Sequence, residues 1–181
     1  MDDTNAVDPV ALLREIEECC RACTVELPGD TQTENEWSGI AFRVGTNNLV
    51  TPLGEVAEIL DVPELTVVPL TQPWVRGLAN LRGNLLPVID LNGYLTGTLA
   101  RLTGKSRVLV IDYDGVYSGV VVDEVLGMKH FREQELTAGE TWVDASLQPY
   151  CHQGYRRAQQ SWAIFSMFSL ADAPQFLQAA V

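Results

Sequence analysis

With 181 residues, 46% of them hydrophobic, the chain has the length of one ordinary domain, or of two very small ones sharing a core, and enough apolar side chains for a sizeable core, which excludes disorder along its whole length. A net charge of −12 and a pI near 4.4 exclude a nucleic-acid binder, which needs a basic stripe against phosphates, and also disfavour an anionic lipid surface. There is no apolar run of about 18 residues to span a membrane, and no basic start followed by an apolar stretch. The expected location is therefore the cytoplasm, where the four cysteines read as free thiols.

Residues 1–36 carry ten acidic and two basic side chains, a net of −8, so the acidity belongs mainly to an N-terminal extension. Asp8-Pro9 is a good helix start, because aspartate caps free N–H groups and proline suits the first helical position. Leu12, Ile16, Cys19 and Cys23 then recur at helical spacing, predicting a helix over about 9–24. Pro28-Gly29-Asp30 breaks it, and 31–36 reads as a polar linker. The helix either packs on its own domain or docks on a partner.

From Trp37 the pattern turns to strand. Ile40, Phe42 and Val44 alternate with Ala41 and Arg43, Gly45-Thr46-Asn47-Asn48 turns the chain, and 49–53 continues as a strand. Residues 54–61 suit strand or helix. Pro63, Pro69 and Pro73 punctuate an extended stretch with little room for a long helix. Two β-branched runs, 107–113 and 116–122, flank Asp114-Gly115 and form the strongest hairpin signal in the chain. A further strand is expected over 125–131. Residues 132–160 read as irregular, 162–168 as a late strand, and 170–177 as a short final helix weakened by Pro174. Many short strands with Gly/Pro-rich turns argue for small barrels or a sandwich.

Catalytic motifs fail on spacing. Gly104-Lys105-Ser106 lacks the glycine that a phosphate loop needs at position 99, which is leucine. Ser118 lacks glycines two residues to either side, as a nucleophile elbow requires. The histidines are His130 and His152, and surface or loop contacts suit both. Cys20 and Cys23 with Cys151 and His152 could supply four zinc ligands. Cys20 and Cys23 lie in an apolar helical stripe, however, where cysteine acts as a small hydrophobe. A thiol- or metal-dependent protein built on Cys20, Cys23 and Cys151 stays as an alternative, as does a barrel with an enclosed ligand cavity.

Residues 74–91, from Trp74 to Leu91, set Gly77, Asn80, Arg82, Gly83 and Asn84 among the buried candidates Leu78, Leu81, Leu85, Leu86, Val88 and Ile89. Read locally, this is strand–turn–strand with Arg82 solvated. The segment closely resembles the signature of CheW-like domains, the coupling modules of bacterial chemotaxis arrays. The resemblance covers about residues 37–177 and takes in ordered blocks: Phe42-Arg43-Val44-Gly45, the 54–60 segment, the 107–122 hairpin and Val122-Asp123-Glu124-Val125. Within the family, Trp37-Ser38-Gly39-Ile40, Asn92-Gly93, Gly127-Met128-Lys129-His130-Phe131 and Leu147-Gln148-Pro149 resemble the adaptors of type IV pilus twitching systems.

The resemblance implies a mainly β fold: two packed five-stranded SH3-like barrels over 37–178, with the N-terminal helix before them and a short C-terminal helix. It implies a non-enzymatic adaptor without cofactor or metal, which joins the cytoplasmic tip of a methyl-accepting receptor to the regulatory domain of a histidine kinase. Such a protein would be recruited to receptor arrays at the membrane. Val56, Glu58 and Gly77 fall where the family contacts the kinase, and Asn80 and Arg82 fall near a receptor-facing groove. A flagellar chemotaxis adaptor is the alternative to the pilus type. Arg82 could hold a partner carboxylate in a forked pair, or pair internally with Glu58 and shape the surface.

Overall fold

Strands whose side chains are apolar on both faces organise this fold. The computed structural model describes Val10 and residues 36–138, 143–157 and 159–178; the helix expected over about 9–24, with Cys20 and Cys23, otherwise lies outside the described residues. Eleven strands follow one another among the described residues: β1 (Glu36–Val44), β2 (Asn47–Pro52), β3 (Glu58–Asp61), β4 (Val75–Leu81), β5 (Asn84–Asp90), β6 (Arg107–Tyr113), β7 (Val116–Val122), β8 (Glu124–Arg132), β9 (Leu136–Ala138), β10 (Cys151–Arg157) and β11 (Gln160–Phe165). Short helices occupy Leu91–Thr96, Met167–Ala171 and Pro174–Leu177.

The strands form two sheets, ordered β3-β6-β7-β5-β4 and β8-β1-β2-β11-β10-β9. The first closes on itself through an isolated bridge. In the first, Thr66, a few residues beyond β3 at one edge, bridges to Leu78 of β4 at the other edge. In the second, edge strands β8 and β9 are joined by only the 3-10 turn Glu133–Glu135, which makes them neighbours in space. Two packed barrels result, as the resemblance implies, and β9 adds a sixth strand to the second.

Alternation along each strand divides the core into three. Val108 and Val110 of β6 join Ala79, Leu86, Val88 and Val121 inside the first barrel. Leu109 and Ile111, on the opposite face of the same strand, join Phe42, Leu49, Ile89, Val120 and Phe165 between the barrels. Ala41, Val50, Phe131, Tyr155 and Trp162 fill the second barrel. A strand buried on both faces must be apolar at successive positions, which is why 107–113 reads as a continuous run. The interiors of both barrels hold packed apolar side chains.

Several expectations are met, and three are corrected. The hairpin at Asp114-Gly115 forms as read, with φ of +46° and +80° in its two-residue turn. The ambiguous 54–61 segment divides into a 3-10 turn, Leu53–Glu55, and the strand β3. The polar stretch 132–160 contains β9 and β10, because Tyr155 and Cys151 are buried in the core and β9 and β11 supply backbone partners. The late strand ends at Phe165 rather than Phe168, since the Ser166 hydroxyl accepts from Ser169 N–H at 3.1 Å and starts a helix there. Pro174 divides the final helix in two and opens the second piece from its first position.

Candidate functional site

The blocks matched in order along the sequence meet in space. Arg43 pairs with Glu124, and Gly45 N–H donates to the Asp123 carboxylate at 2.6 Å, tying the β1–β2 turn to the junction of β7 and β8. The segment of residues 74–91 forms the β4–β5 hairpin, followed by the Leu91–Thr96 helix, and Leu85, expected to be buried, is instead exposed beside the hairpin turn. Leu81 and Asn84 pair, leaving Arg82 and Gly83 as a two-residue turn with φ of +52° and +89°. Two positive φ values are the mark of a type I′ turn, whose first position favours Asn, Asp or Gly because other side chains crowd the backbone there. Asp114-Gly115 meets that preference; Arg82 does not.

Arg82 is exposed, and its Nη2 donates to Glu58 Oε1 at 2.6 Å. Glu58 lies on β3 and Arg82 follows β4, so the pair clasps the two edge strands of the first barrel. Exposed Asn80 accepts the Gly83 N–H at 2.8 Å through its side-chain oxygen and so holds the same turn. The structure thus brings together three residues nominated from sequence: Glu58, Asn80 and Arg82.

The other two are placed differently. Val56 is half-buried and packs on the core between the barrels. Gly77 is buried at φ +139°, and a Cβ there would stand 2.4 Å from the Thr66 carbonyl oxygen. Leu78 exchanges both backbone hydrogen bonds with Thr66, at 2.8 and 2.9 Å. Only glycine lets β4 and the Thr66 backbone approach this closely. Gly77 therefore acts on its surroundings through the backbone it shapes.

Sequence reasoning missed two anchors of the site. Asp90 has a fully buried side chain, yet each of its oxygens is satisfied. One accepts Gly93 N–H at 2.8 Å and caps the Leu91–Thr96 helix; the other accepts Arg76 Nε at 2.8 Å and Ala100 N–H at 3.0 Å. Arg76 Nη2 also donates to the Ala100 carbonyl. An aspartate directly before a helix is a readable capping signal, but its pairing with Arg76 is tertiary. The second anchor is Glu55, whose carboxylate accepts from the backbone of Met167 at 2.5 Å and Phe168 at 3.3 Å. No local pattern connects residue 55 with residue 167.

The residues weighed for other chemistry have structural surroundings. The Ser118 hydroxyl donates to the Pro87 carbonyl at 3.3 Å within the first barrel. Ser106 is buried and bonds Thr103 across a turn. His130 Nδ1 lies 2.7 Å from the Ser38 hydroxyl on the surface. Cys151 is a free, buried thiol whose pKa burial pushes up to about 12. Low polarity around it disfavours the thiolate that binds metal or attacks electrophiles. Among the described residues, no three His, Cys, Asp or Glu side chains cluster in a way that could hold a metal ion.

Residues 38–175 match the model of the CheW-like domain. The chain is 41% identical over 173 residues to Protein PilI of Pseudomonas aeruginosa, covering 96% of this chain and 97% of that protein. It is 36% identical over 117 residues to Protein FrzA of Myxococcus xanthus, covering 65% of this chain and 73% of the relative. The crystal structure of the scaffolding protein TtCheW from Thermoanaerobacter tengcongensis superposes with a TM-score of 0.62 at 21% identity, covering 72% of this chain and 88% of that one. That likeness shows the two-barrel fold.

Proposed function

This chain belongs to the CheW-like family, and from that premise we propose that it couples the cytoplasmic tip of a methyl-accepting receptor to the regulatory domain of a chemotaxis-type histidine kinase. It is a CheW-like adaptor, with no chemistry of its own to perform in this role. Its output controls type IV pilus twitching, a reading supported by the near full-length similarity to Protein PilI. It works in the cytoplasm beside membrane-bound receptor arrays, and no helix among the described residues is long and apolar enough to cross a membrane.

One observation carries the reading: an exposed arginine held in a backbone conformation unfavourable to it, with its guanidinium on a carboxylate of the neighbouring edge strand. Left-handed residues other than glycine concentrate where function maintains them. An exposed ion pair contributes only about 0–1 kcal/mol, too little to account for that choice by stability. In the proposed division, Val56 and Glu58, just before and at the start of a strand whose surroundings Gly77 shapes, face the kinase, and Asn80 and Arg82 face the receptor. Because Glu58 and Arg82 are bonded, the two surfaces adjoin at a single pair.

The test is reconstitution of receptor, kinase and this protein. Kinase activity should come under receptor control only when all three are present. A kinase that binds the receptor and responds equally without this chain would refute the coupling role. Reversing the charge at Arg82 should weaken receptor binding while leaving the fold intact; unchanged affinity would remove Arg82 from the surface.

A further inference from the structure

Glu55 and Glu58 lie three residues apart and have different tasks. Glu58 reaches Arg82 across the barrel edge. Glu55 turns to the C-terminal part of the chain, where Oε2 accepts Met167 N–H at 2.5 Å and Phe168 N–H at 3.3 Å. The Ser166 hydroxyl lies 3.4 Å from its other oxygen, and Thr51 donates from 3.5 Å. The Met167–Ala171 helix so engaged is fixed in turn by stacking of Phe168 on Tyr113, with ring centroids 3.9 Å apart. Tyr113 ends β6, and β6 is the strand that holds β3.

β3 needs such help. It has four residues and pairs with β6 along one side, with Glu58 opposite Val110. Ala57 N–H adds one bond to the Val110 carbonyl at 2.8 Å. Before the strand, Glu55 supplies its link to the C-terminal helix; beyond it, the chain runs on to the bridge at Thr66.

We propose that Glu55 is a positioning residue for the partner surface at Val56 and Glu58. It ties the start of β3 to a helix 112 positions downstream, so the C-terminal segment sets how the strand is presented. This inference rests on the reading of β3 as the kinase-facing strand, and the test separates the two.

Affinity of the full chain for the kinase regulatory domain is measured for Glu55→Ala, Glu55→Gln, Glu58→Ala and the double variant Glu55→Ala/Glu58→Ala. Glu58→Ala should weaken binding about tenfold or more, and Glu55→Ala about fivefold. Glu55→Gln should stay within about twofold, because one amide oxygen can accept both N–H groups that Oε2 now accepts. The double variant should bind no more than about twofold weaker than Glu58→Ala, since residues acting through one another are not additive. Backbone amides of β3 should exchange faster in Glu55→Ala. If Glu55→Ala does not fold, Glu55→Asp, whose carboxylate is one methylene short of Met167, takes its place with the same expectation.

Wild-type affinity in Glu55→Ala overturns the inference. So does a loss that adds in full to that of Glu58→Ala, which would mark a general structural effect. If Glu58→Ala binds like the wild type while the protein still couples receptor to kinase, the kinase surface lies elsewhere, and the inference falls with that assignment alone.

Discussion

Replacing Arg82 with asparagine separates a binding residue from a structural one. Arg82 occupies the first position of a type I′ turn at φ +52°, with Gly83 at +89°. A left-handed residue with a Cβ costs about 1–2 kcal/mol, and asparagine pays less because its short polar side chain bonds locally. Arg82→Asn also creates Asn-Gly, the dipeptide this turn favours. Against that gain stands the pair with Glu58, whose partners are 75% and 30% exposed at the side chain. Screening at such exposure leaves it about 0–1 kcal/mol. The two effects predict a variant as stable as the wild type or more stable by about 1 kcal/mol. For a domain of this size that is a rise of about 0–4 °C in Tm. Urea unfolding with an unchanged m value measures it, alongside affinity for the receptor tip, which should fall about tenfold or more. Destabilisation beyond about 1 kcal/mol, with receptor affinity retained, would refute the argument and make Arg82 a clasp for the barrel alone.

Further outcomes follow from the same geometry. Gly77→Ala places a Cβ 2.4 Å from the Thr66 carbonyl at a φ unsuited to alanine, and should cost about 1–3 kcal/mol or more by thermal unfolding. Its kinase affinity should fall even at temperatures where the fold survives. Asp90→Ala leaves Arg76, whose side chain is 18% exposed, without its carboxylate and should cost about 3–5 kcal/mol; a loss below about 1 kcal/mol in calorimetry would show that the pair is not a hub. Cys151, with its pKa near 12 when folded against an ordinary value of 9.0, should resist alkylation at pH 8 and react once urea unfolds the chain. The sign for stability is also set: between those two values the unfolded thiol loses its proton first, so Cys151 lowers stability as pH rises above about 9. Peptide mapping by mass spectrometry reads the first effect, and urea midpoints against pH, compared with Cys151→Ala, read the second.

Much of this protein was legible in the sequence. The Asp114-Gly115 hairpin and the strand–turn–strand of 74–91 follow from turn chemistry and from alternation, both of which act between near neighbours. The ordered blocks pointed to the family, and the structure shows why they travel together: Arg43 and Gly45 bond Glu124 and Asp123. Strand β10 was not legible, because its inward residues, Cys151 and Tyr155, are separated by polar positions that read as loop until β9 and β11 pair with it. The helix start at Ser166 was hidden for a related reason, since Met167 and Phe168 continue the apolar run of the strand before it.

The candidate site shows the same division. Sequence nominated Val56, Glu58, Gly77, Asn80 and Arg82 through resemblance, and left open whether Arg82 pairs internally. Tertiary structure decided that it does pair with Glu58, and that Gly77 is a buried point of backbone approach. It also added Glu55, Arg76 and Asp90, which no local pattern joins to their partners. Composition, turn residues and alternation are written residue by residue, so the chain alone determined a β-rich protein of this family. Which carboxylate meets which arginine depends on barrels that close between distant segments, and that was settled only when the chain folded.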